Sequence, residues 1–352
     1  MNQTPSHSCL FICSGEHDTL PQAELTAILE AEEYPFNLLW QRKRTILAKV
    51  SPIGAKRVVQ RAALVNNAST VEIEATTNVT SILRELKEIN FSQWLQPNTK
   101  FGVKVTRVQR ESVPIDVDAL QGEMGSIIWQ SLDGRVNIDL KRPDVLFLGV
   151  IVGERFFFGL HLASRERAGF TQRRSPLRPF FVPSAIHPKT ARLMVNLSRV
   201  TPGNLFLDPF CGTGGLLLEA AEIGCVPIGV DISPTILAGC RENLEHYLVA
   251  FNGVLGDARS PPFGSESINA IATDPPYGRS SSTKGAKVRG LIQSSLECLA
   301  DLLNPEKYLC LALPFEQFTE DIIPFDAFRV IETHTMRIHR SLRRFIVVLQ
   351  RK

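Results

Sequence analysis

Long apolar runs are missing from this sequence. No stretch approaches the about 18 consecutive apolar residues that cross a bilayer, so neither a membrane-spanning helix nor a membrane partner is expected. The opening residues, Met1 to His7, are polar, and the apolar run that follows, Cys9 to Cys13, is too short for the core of a secretion signal. Cysteine is scarce too. There are seven in 352 residues, an odd number with no C-x-x-C pair, so neither a disulfide framework nor a zinc site is signalled and no metal is expected. Reduced thiols in a cytoplasmic protein are the plain reading. An excess of one charge is also lacking: the net charge is only +3, which taken alone says nothing about nucleic acid.

The distribution of charge says more than its sum. Arg155 to Arg192 holds eight Lys/Arg (Arg155, Arg165, Arg167, Arg173, Arg174, Arg178, Lys189 and Arg192) against the single acid Glu166. Arg337 to Lys352 holds six Lys/Arg and no acid. These segments carry +7 and +6, which leaves −10 on the rest of the chain. Two concentrated basic stretches on a mildly acidic protein suit a localised phosphate-binding surface. The competing account is a solvated loop and an ordinary edge strand.

The length suggests two or three domains. Residues 1–75 read as β-α-β-β-α-β, the ferredoxin-like pattern. The runs are Ser8–Ser14, a helix Leu20–Glu32, two strands around Arg42-Lys43-Arg44, a helix opened by Pro52 and continued through Ala62–Val65, and a strand Thr70–Thr76. Residues 76–163 hold a helix over Asn78–Ile89, a strand over Lys100–Arg110, a helix capped by Asp116, and three strands ending near Leu162, with no catalytic motif. Residues 164–183 form a basic linker. Its interleaved Arg and Phe (Phe170, Phe180, Phe181) fit phosphate contact with base stacking, and fit equally an anchor that packs the linker down. From Ser184 to Lys352, strands and helices alternate and an antiparallel pair closes the chain: a doubly wound, Rossmann-like α/β sheet with a reversed strand at its end.

Two motifs carry chemistry. In Leu205 to Gly215 an apolar strand ends in Asp208, a glycine loop follows, and a helix begins. Ligands bind at the carboxyl ends of such strands, and Gly212 and Gly214 let backbone approach closely. Asp231 ends the next strand, placed for two ribose hydroxyls, with Ile232 beside it. Asp257, before Ala258, follows the third and is placed for an adenine amine. A dinucleotide site shares part of this pattern. The acid that opens the loop, however, suits an ammonium better than a pyrophosphate. The second motif, Thr273-Asp274-Pro275-Pro276-Tyr277-Gly278, follows another apolar strand. The exocyclic amine of a base is a poor nucleophile because its lone pair is conjugated with the ring. A carboxylate and a prolyl carbonyl, each accepting one N–H, can turn that lone pair toward a methyl sulfonium. The Tyr277 ring can stack on the base.

Together these motifs resemble the amino-methyltransferases. Longer stretches narrow the likeness: Arg178-Pro179-Phe180-Phe181-Val182-Pro183-Ser184, Pro188 to Val200, Asp208 to Ala221 and Thr273 to Ser282 are similar to the archaeal tRNA guanine-10 N2-dimethyltransferases. The front half resembles that family's ferredoxin-like plus THUMP module. The resemblance implies S-adenosylmethionine as cofactor, tRNA as partner, and transfer of one methyl and then a second to N2 of guanosine 10. It places Asp208, Phe210, Gly212, Gly214, Asp231, Ile232, Asp257 and Ala258 at the cofactor, and Asp274, Pro275 and Tyr277 at the reacting amine. Arg165, Arg167, Arg173, Arg174 and Arg178 are the expected RNA contacts.

The alternatives differ in class. A DNA amino-methyltransferase would not need the front half, so DNA is not the expected substrate. A C5-methyltransferase needs a nucleophilic cysteine near the pocket, and none lies between Cys240 and Cys298. Methylation of guanine N2 at another tRNA position shares every motif. A non-catalytic RNA-binding subunit would not need the intact acid at 274. A small activating protein subunit is compatible with the sequence.

Overall fold

The computed structural model describes residues 7–108, 115–166, 168–183, 185–276, 285–314, 322–339 and 342–352. It divides into two compact units, and the chain passes between them more than once. One holds residues up to Asp18, Tyr34–Gln60 and Val65–Arg165; the other holds Thr19–Glu33, Arg61–Leu64 and Glu166–Lys352.

In the first unit, β1 (Ser8–Cys13), β2 (Phe36–Arg42), β3 (Thr45–Val50) and β4 (Val65–Thr70) pair antiparallel in the order β2-β3-β1-β4. This is the strand order of the split β-α-β pattern. The sheet does not stop there. β4 pairs with β9 (Arg155–Ser164), followed by β8 (Val145–Val152), β6 (Lys100–Arg107) and β7 (Asn137–Ile138), while β5 (Ile73–Thr76) also pairs with β9. Helices α3 (Val79–Lys87) and α4 (Val117–Ser131) begin on side-chain caps: Asn78 accepts the Ser81 amide, and Asp116 accepts the amides of Asp118 and Ala119. Their apolar faces (Ile82, Leu86, Met124, Ile128) close over Phe101, Phe147, Phe156 and Phe158.

The second unit is built on a seven-stranded sheet. β10 (Leu205–Asp208), β11 (Val226–Asp231), β12 (Gly253–Leu255), β13 (Ile268–Thr273) and β14 (Leu303–Pro314) run parallel, and β15 (Phe328–His339) and β16 (Leu342–Arg351) complete it, in the order β12-β11-β10-β13-β14-β16-β15. The closing pair is not simply appended: β16 inserts antiparallel between β14 and β15. Its helices are α5 (Ala168–Gln172), α6 (Pro188–Leu197), α7 (Gly215–Glu222), α8 (Pro234–His246) and α9 (Gly285–Leu302). The chain runs outward from β10 to β11 and β12, then returns to β13 and β14. That reversal opens a crevice at the carboxyl ends of β10 and β13, where ligands of such sheets sit.

This unit also contains α1 (Leu20–Ala31), although that helix lies between β1 and β2 in sequence. Leu20, Ala23 and Ala27 share its apolar core with Ala191, Met194 and Phe206. A fully buried acid, Glu24, accepts the amides of Ala63 and Leu64 at 2.7 and 2.8 Å and the Asn196 side-chain amide at 2.7 Å. Arg61 donates to Asn196, Glu32 and the Val200 carbonyl. These bonds explain a difference from the sequence reading. Ala62–Val65 does not continue α2 (Pro52–Arg61), because the amides of Ala63 and Leu64 turn to the Glu24 carboxylate. The chain then enters β4 at Val65, where the sequence reading still had helix and began the next strand only at Thr70.

Candidate active site

β10 ends at Asp208 and the chain turns through two glycines into α7. Gly212 has φ +51° and Gly214 φ +81°, left-handed conformations that side chains resist. Their surroundings differ. A Cβ on Gly214 would lie 2.5 Å from a Leu244 methyl carbon and 2.9 Å from the Cys240 sulfur. One on Gly212 would meet, among the described residues, only the Phe210 carbonyl at 3.9 Å. Gly214 thus allows the helix start to pack on α8, and at Gly212 the described residues leave the outer face of the turn uncovered.

Asp208 is 2% exposed. Its Oδ1 accepts the Thr273 hydroxyl at 2.8 Å and the Phe210 amide at 3.1 Å. Burial pushes its carboxyl up to about 7; the two hydrogen bonds oppose this, and the nearby carboxylates of Asp274 and Asp231 add to it. None of these groups is a cation. A cationic ligand head is the chemistry such a buried acid fits. Asp231 accepts the Gly212 amide on Oδ2 at 3.0 Å and the Ser233 amide on Oδ1 at 2.9 Å. The acid expected to face a ribose therefore also fixes the glycine turn; a carboxylate has about four acceptor sites, so the roles coexist. Ile232 beside it is exposed. Asp257 differs from expectation, since Arg259 engages its carboxylate through guanidinium and amide, and that pairing holds it below the usual carboxylate range. An adenine amine there would share Asp257 with Arg259. Ala258 is buried next to it.

Asp274 follows β13, which neighbours β10 in the sheet. Arg344 donates from Nη1 to its Oδ2 at 2.6 Å, with the two side chains only 13% and 12% exposed. Burial pushes the Asp274 carboxyl up to about 6, against the pull of the Arg344 charge. Pro275 is buried and Pro276 half-buried. Tyr277 and the rest of its motif lie outside the described residues, as does Arg167.

The basic linker differs from the expected RNA-facing surface. Arg173 is not a surface cation. It donates to Glu219 at 2.8 and 3.2 Å and to Glu222 at 2.7 Å; burial works against its charge, and the two carboxylates outweigh it. Arg178 is buried as well, donating from Nε to the Arg173 carbonyl, and burial pulls its pKa down. Both side chains pack the linker and do not face outward. Arg174 is exposed and Arg165 half-buried. The phenylalanines divide in the same way. Phe170 is buried and Phe181 half exposed. Phe180 packs so tightly on α8 that a Cβ on Gly239 would fall 2.2 Å from its ring. Asn243 completes this anchor: it accepts the Phe180 amide at 2.9 Å and donates to the carbonyls of Phe180 and Thr213, both at 3.0 Å. One side chain thus ties the linker to the glycine turn. In the second basic stretch, Arg344 is held by Asp274, Arg351 donates to the Ala327 carbonyl and Lys352 to the Phe325 carbonyl.

Asn243, Thr273 and Arg344 were not singled out by the sequence. Thr273 was quoted only as the residue before Asp274. Arg344 lies 70 residues from its partner, inside a run that reads as phosphate-binding. Among the described residues no helix is long and apolar enough to cross a membrane.

A mostly parallel sheet with this strand order and one antiparallel strand, β16, set inside it is the fold of the class I methyltransferases, and acids end its first and second strands. Comparison with known proteins narrows the class. Residues 176–345 match the family model described as "RMKL-like, methyltransferase domain", and residues 76–160 match the THUMP domain. The chain is 34% identical over 97% of its length to the tRNA (guanine(10)-N2)-dimethyltransferase of Methanothermobacter thermautotrophicus, covering 99% of that protein. It is 31% identical over 86% of its length to the enzyme of the same name from Methanocaldococcus jannaschii, covering 90%. Among solved structures, TrmN from Thermus thermophilus shares the fold over 98% of this chain and 100% of that one, with a TM-score of 0.53 at 20% identity. The chain belongs to the tRNA (guanine(10)-N2)-dimethyltransferase family.

Proposed function

We propose that this protein transfers methyl groups from S-adenosylmethionine to the exocyclic N2 of guanosine 10 in tRNA, once and then a second time. The observation that carries this reading is the joining of Asp208 to the Asp274 loop. The two acids end adjacent strands, and Thr273, next to Asp274, donates to Asp208 beside the open Gly212 turn. A cationic methyl donor and an amine acceptor therefore have neighbouring carboxylates. When bound, the cofactor supplies an electrophilic methyl on a sulfonium. Asp208 receives its ammonium, and Asp231 its ribose hydroxyls. In the first transfer Asp274 accepts one N–H of the guanine amine and the Pro275 carbonyl the other, so the nitrogen lone pair faces the methyl; in the second a single N–H remains for Asp274 to accept. The nitrogen–carbon bond forms as the carbon–sulfur bond breaks, Asp274 stabilises the charge growing on nitrogen, and the surplus proton leaves to solvent. The base must first leave its helical stack. The THUMP-matching front half and the exposed Arg174 supply RNA contact. The names of the archaeal relatives support position 10 and dimethylation. Mass spectrometry of nucleosides from unmodified tRNA, incubated with enzyme and cofactor, tests the reading. N2-methyl- and N2,N2-dimethylguanosine are expected at position 10, and methylation at any other base or atom would refute it.

Asp231→Ala is expected to weaken cofactor binding by about 1.5–3 kcal/mol, the range for hydrogen bonds to a charged group. Affinity for tRNA should hardly change. Titration calorimetry reads both, and a cofactor affinity equal to wild type would remove Asp231 from the site.

A further inference from the structure

We infer that Arg344 is a positioning residue for the reaction: from the reversed strand β16 it holds the Asp274 carboxylate in place and keeps it charged, as the acceptor the substrate amine requires. The inference rests on the reading of Asp274 given above and adds a residue to that site.

The sheet topology makes the contact. β14 separates β13 from β16, with Thr273 opposite Leu311 and Pro314 opposite Arg344. Because β16 runs against its neighbour, its first residues lie at the carboxyl ends of the parallel strands, where the crevice opens. Two strand spacings are about 10 Å, a gap that an arginine and an aspartate can bridge when they reach toward each other. A strand in the common direction would have put its last residues there, and Arg344 would sit at the far edge of the sheet. The ion pair is largely shielded from water, so salt screens it little.

Charge explains why such a pair is needed. Among the described residues, Asp208 at the end of β10 is the acid coupled to Asp274, and Arg344 is the cation acting on it. Burial disfavours the charge on Asp274, and that charge in turn helps to raise the Asp208 carboxyl. Even with Arg344 in contact, burial leaves the Asp274 carboxyl at about 6. Without the guanidinium it would rise through neutrality, and a protonated acid donates one hydrogen bond where the amine needs an acceptor. A bidentate-capable guanidinium also fixes the orientation of the carboxylate plane, which a point charge does less well.

The test is the dependence of single-turnover methyl transfer on pH, at saturating cofactor and tRNA, in Arg344→Met and Arg344→Lys. In Arg344→Met the acid limb should move toward higher pH by about 1–3 pH units, the usual influence of an adjacent arginine on an aspartate. At pH 7 the rate should then fall about tenfold, since a limb near pH 8 leaves roughly a tenth of the carboxylate ionised. Arg344→Lys keeps the charge and should move the limb less. Asp208 titrates in the same range, so the limb belongs to a coupled set. The Asp274→Asn background separates the two: it retains the Asp208 contribution, and there Arg344→Met should leave the limb where it stands. Melting curves and cofactor titrations accompany each variant, and if Arg344→Met does not fold, Arg344→Gln and Arg344→Lys carry the comparison. An unmoved limb in the folded variants, or the same shift in both backgrounds, overturns the role of Arg344. Wild-type activity in Asp274→Ala would instead overturn the catalytic reading on which it rests.

Discussion

Asp274→Ala should slow methyl transfer about 10²–10³-fold or more, the range for removing one group aimed at charge that develops in a transition state. Cofactor and tRNA should still bind, because Asp208, Asp231 and the glycine turn are untouched. The Arg344 contact shapes the control. Alanine leaves a buried guanidinium without the carboxylate it holds, and breaking a buried pair from one side is destabilising. Asp274→Asn keeps a carbonyl for Arg344 and is the milder probe: folded, and slow rather than dead. Melting temperature and cofactor titration distinguish lost chemistry from lost fold. If the folded alanine variant methylates at the wild-type rate, the amino-methyltransferase mechanism is wrong for this chain.

Glu219→Ala, outside the site, should cost about 3–5 kcal/mol of stability. Glu219 is fully buried between two arginines: Arg173 at 2.8 and 3.2 Å and Arg192 at 2.8 Å. Both guanidiniums also lie over the Phe170 ring, 5.5 and 5.6 Å from its centroid. Truncating the acid would leave two buried cations facing each other. Glu222 makes a similar contact to Arg173 at 2.7 Å, but its side chain is 42% exposed, so Glu222→Ala should cost no more than about 1 kcal/mol. Urea unfolding followed in both variants measures the contrast, and equal costs would show that this cluster does not anchor the linker. Arg173→Ala is likewise expected to lower stability. It should not flatten the salt dependence of tRNA binding, the role a surface arginine would have.

The acid-and-glycine turn proposed for the cofactor was legible because its information is local. A strand, an acid, glycines at fixed offsets and a helix all fall within Leu205 to Gly215, and the backbone alone brings them together. The Asp274 loop was legible for the same reason. What escaped was set by partners distant in sequence. Arg344 and Arg173 stand in basic stretches, and nothing beside them tells which cation will face a buried acid. The acids held the clue. Glu219 sits among Leu216, Leu217, Leu218 and Ala220, and Glu24 among Ala23, Leu25 and Ala27, all buried. A carboxylate inside an otherwise apolar helix demands a buried donor, so each implied one somewhere in the chain. The front half was read correctly in its strand pattern up to β3. The error at Ala62–Val65 has the same origin, since an apolar run cannot show that two of its amides will turn to Glu24.

The inclusion of α1 and Arg61–Leu64 in the catalytic unit bears on how the chain is made. Domains generally fold as they leave the ribosome, first-synthesised first. Here Thr19–Glu33 emerges early, yet Asn196 and the Val200 carbonyl, which complete its buried polar contacts, follow only after more than a hundred further residues. Until then its apolar face and the Glu24 carboxylate await partners not yet translated. For the same reason the catalytic half is not a transplantable module: a fragment cut at the linker would leave behind the helix that covers Ala191 and Met194. A gene fusion or circular permutant that moves this enzyme must carry Thr19–Glu33 and Arg61–Leu64 with it.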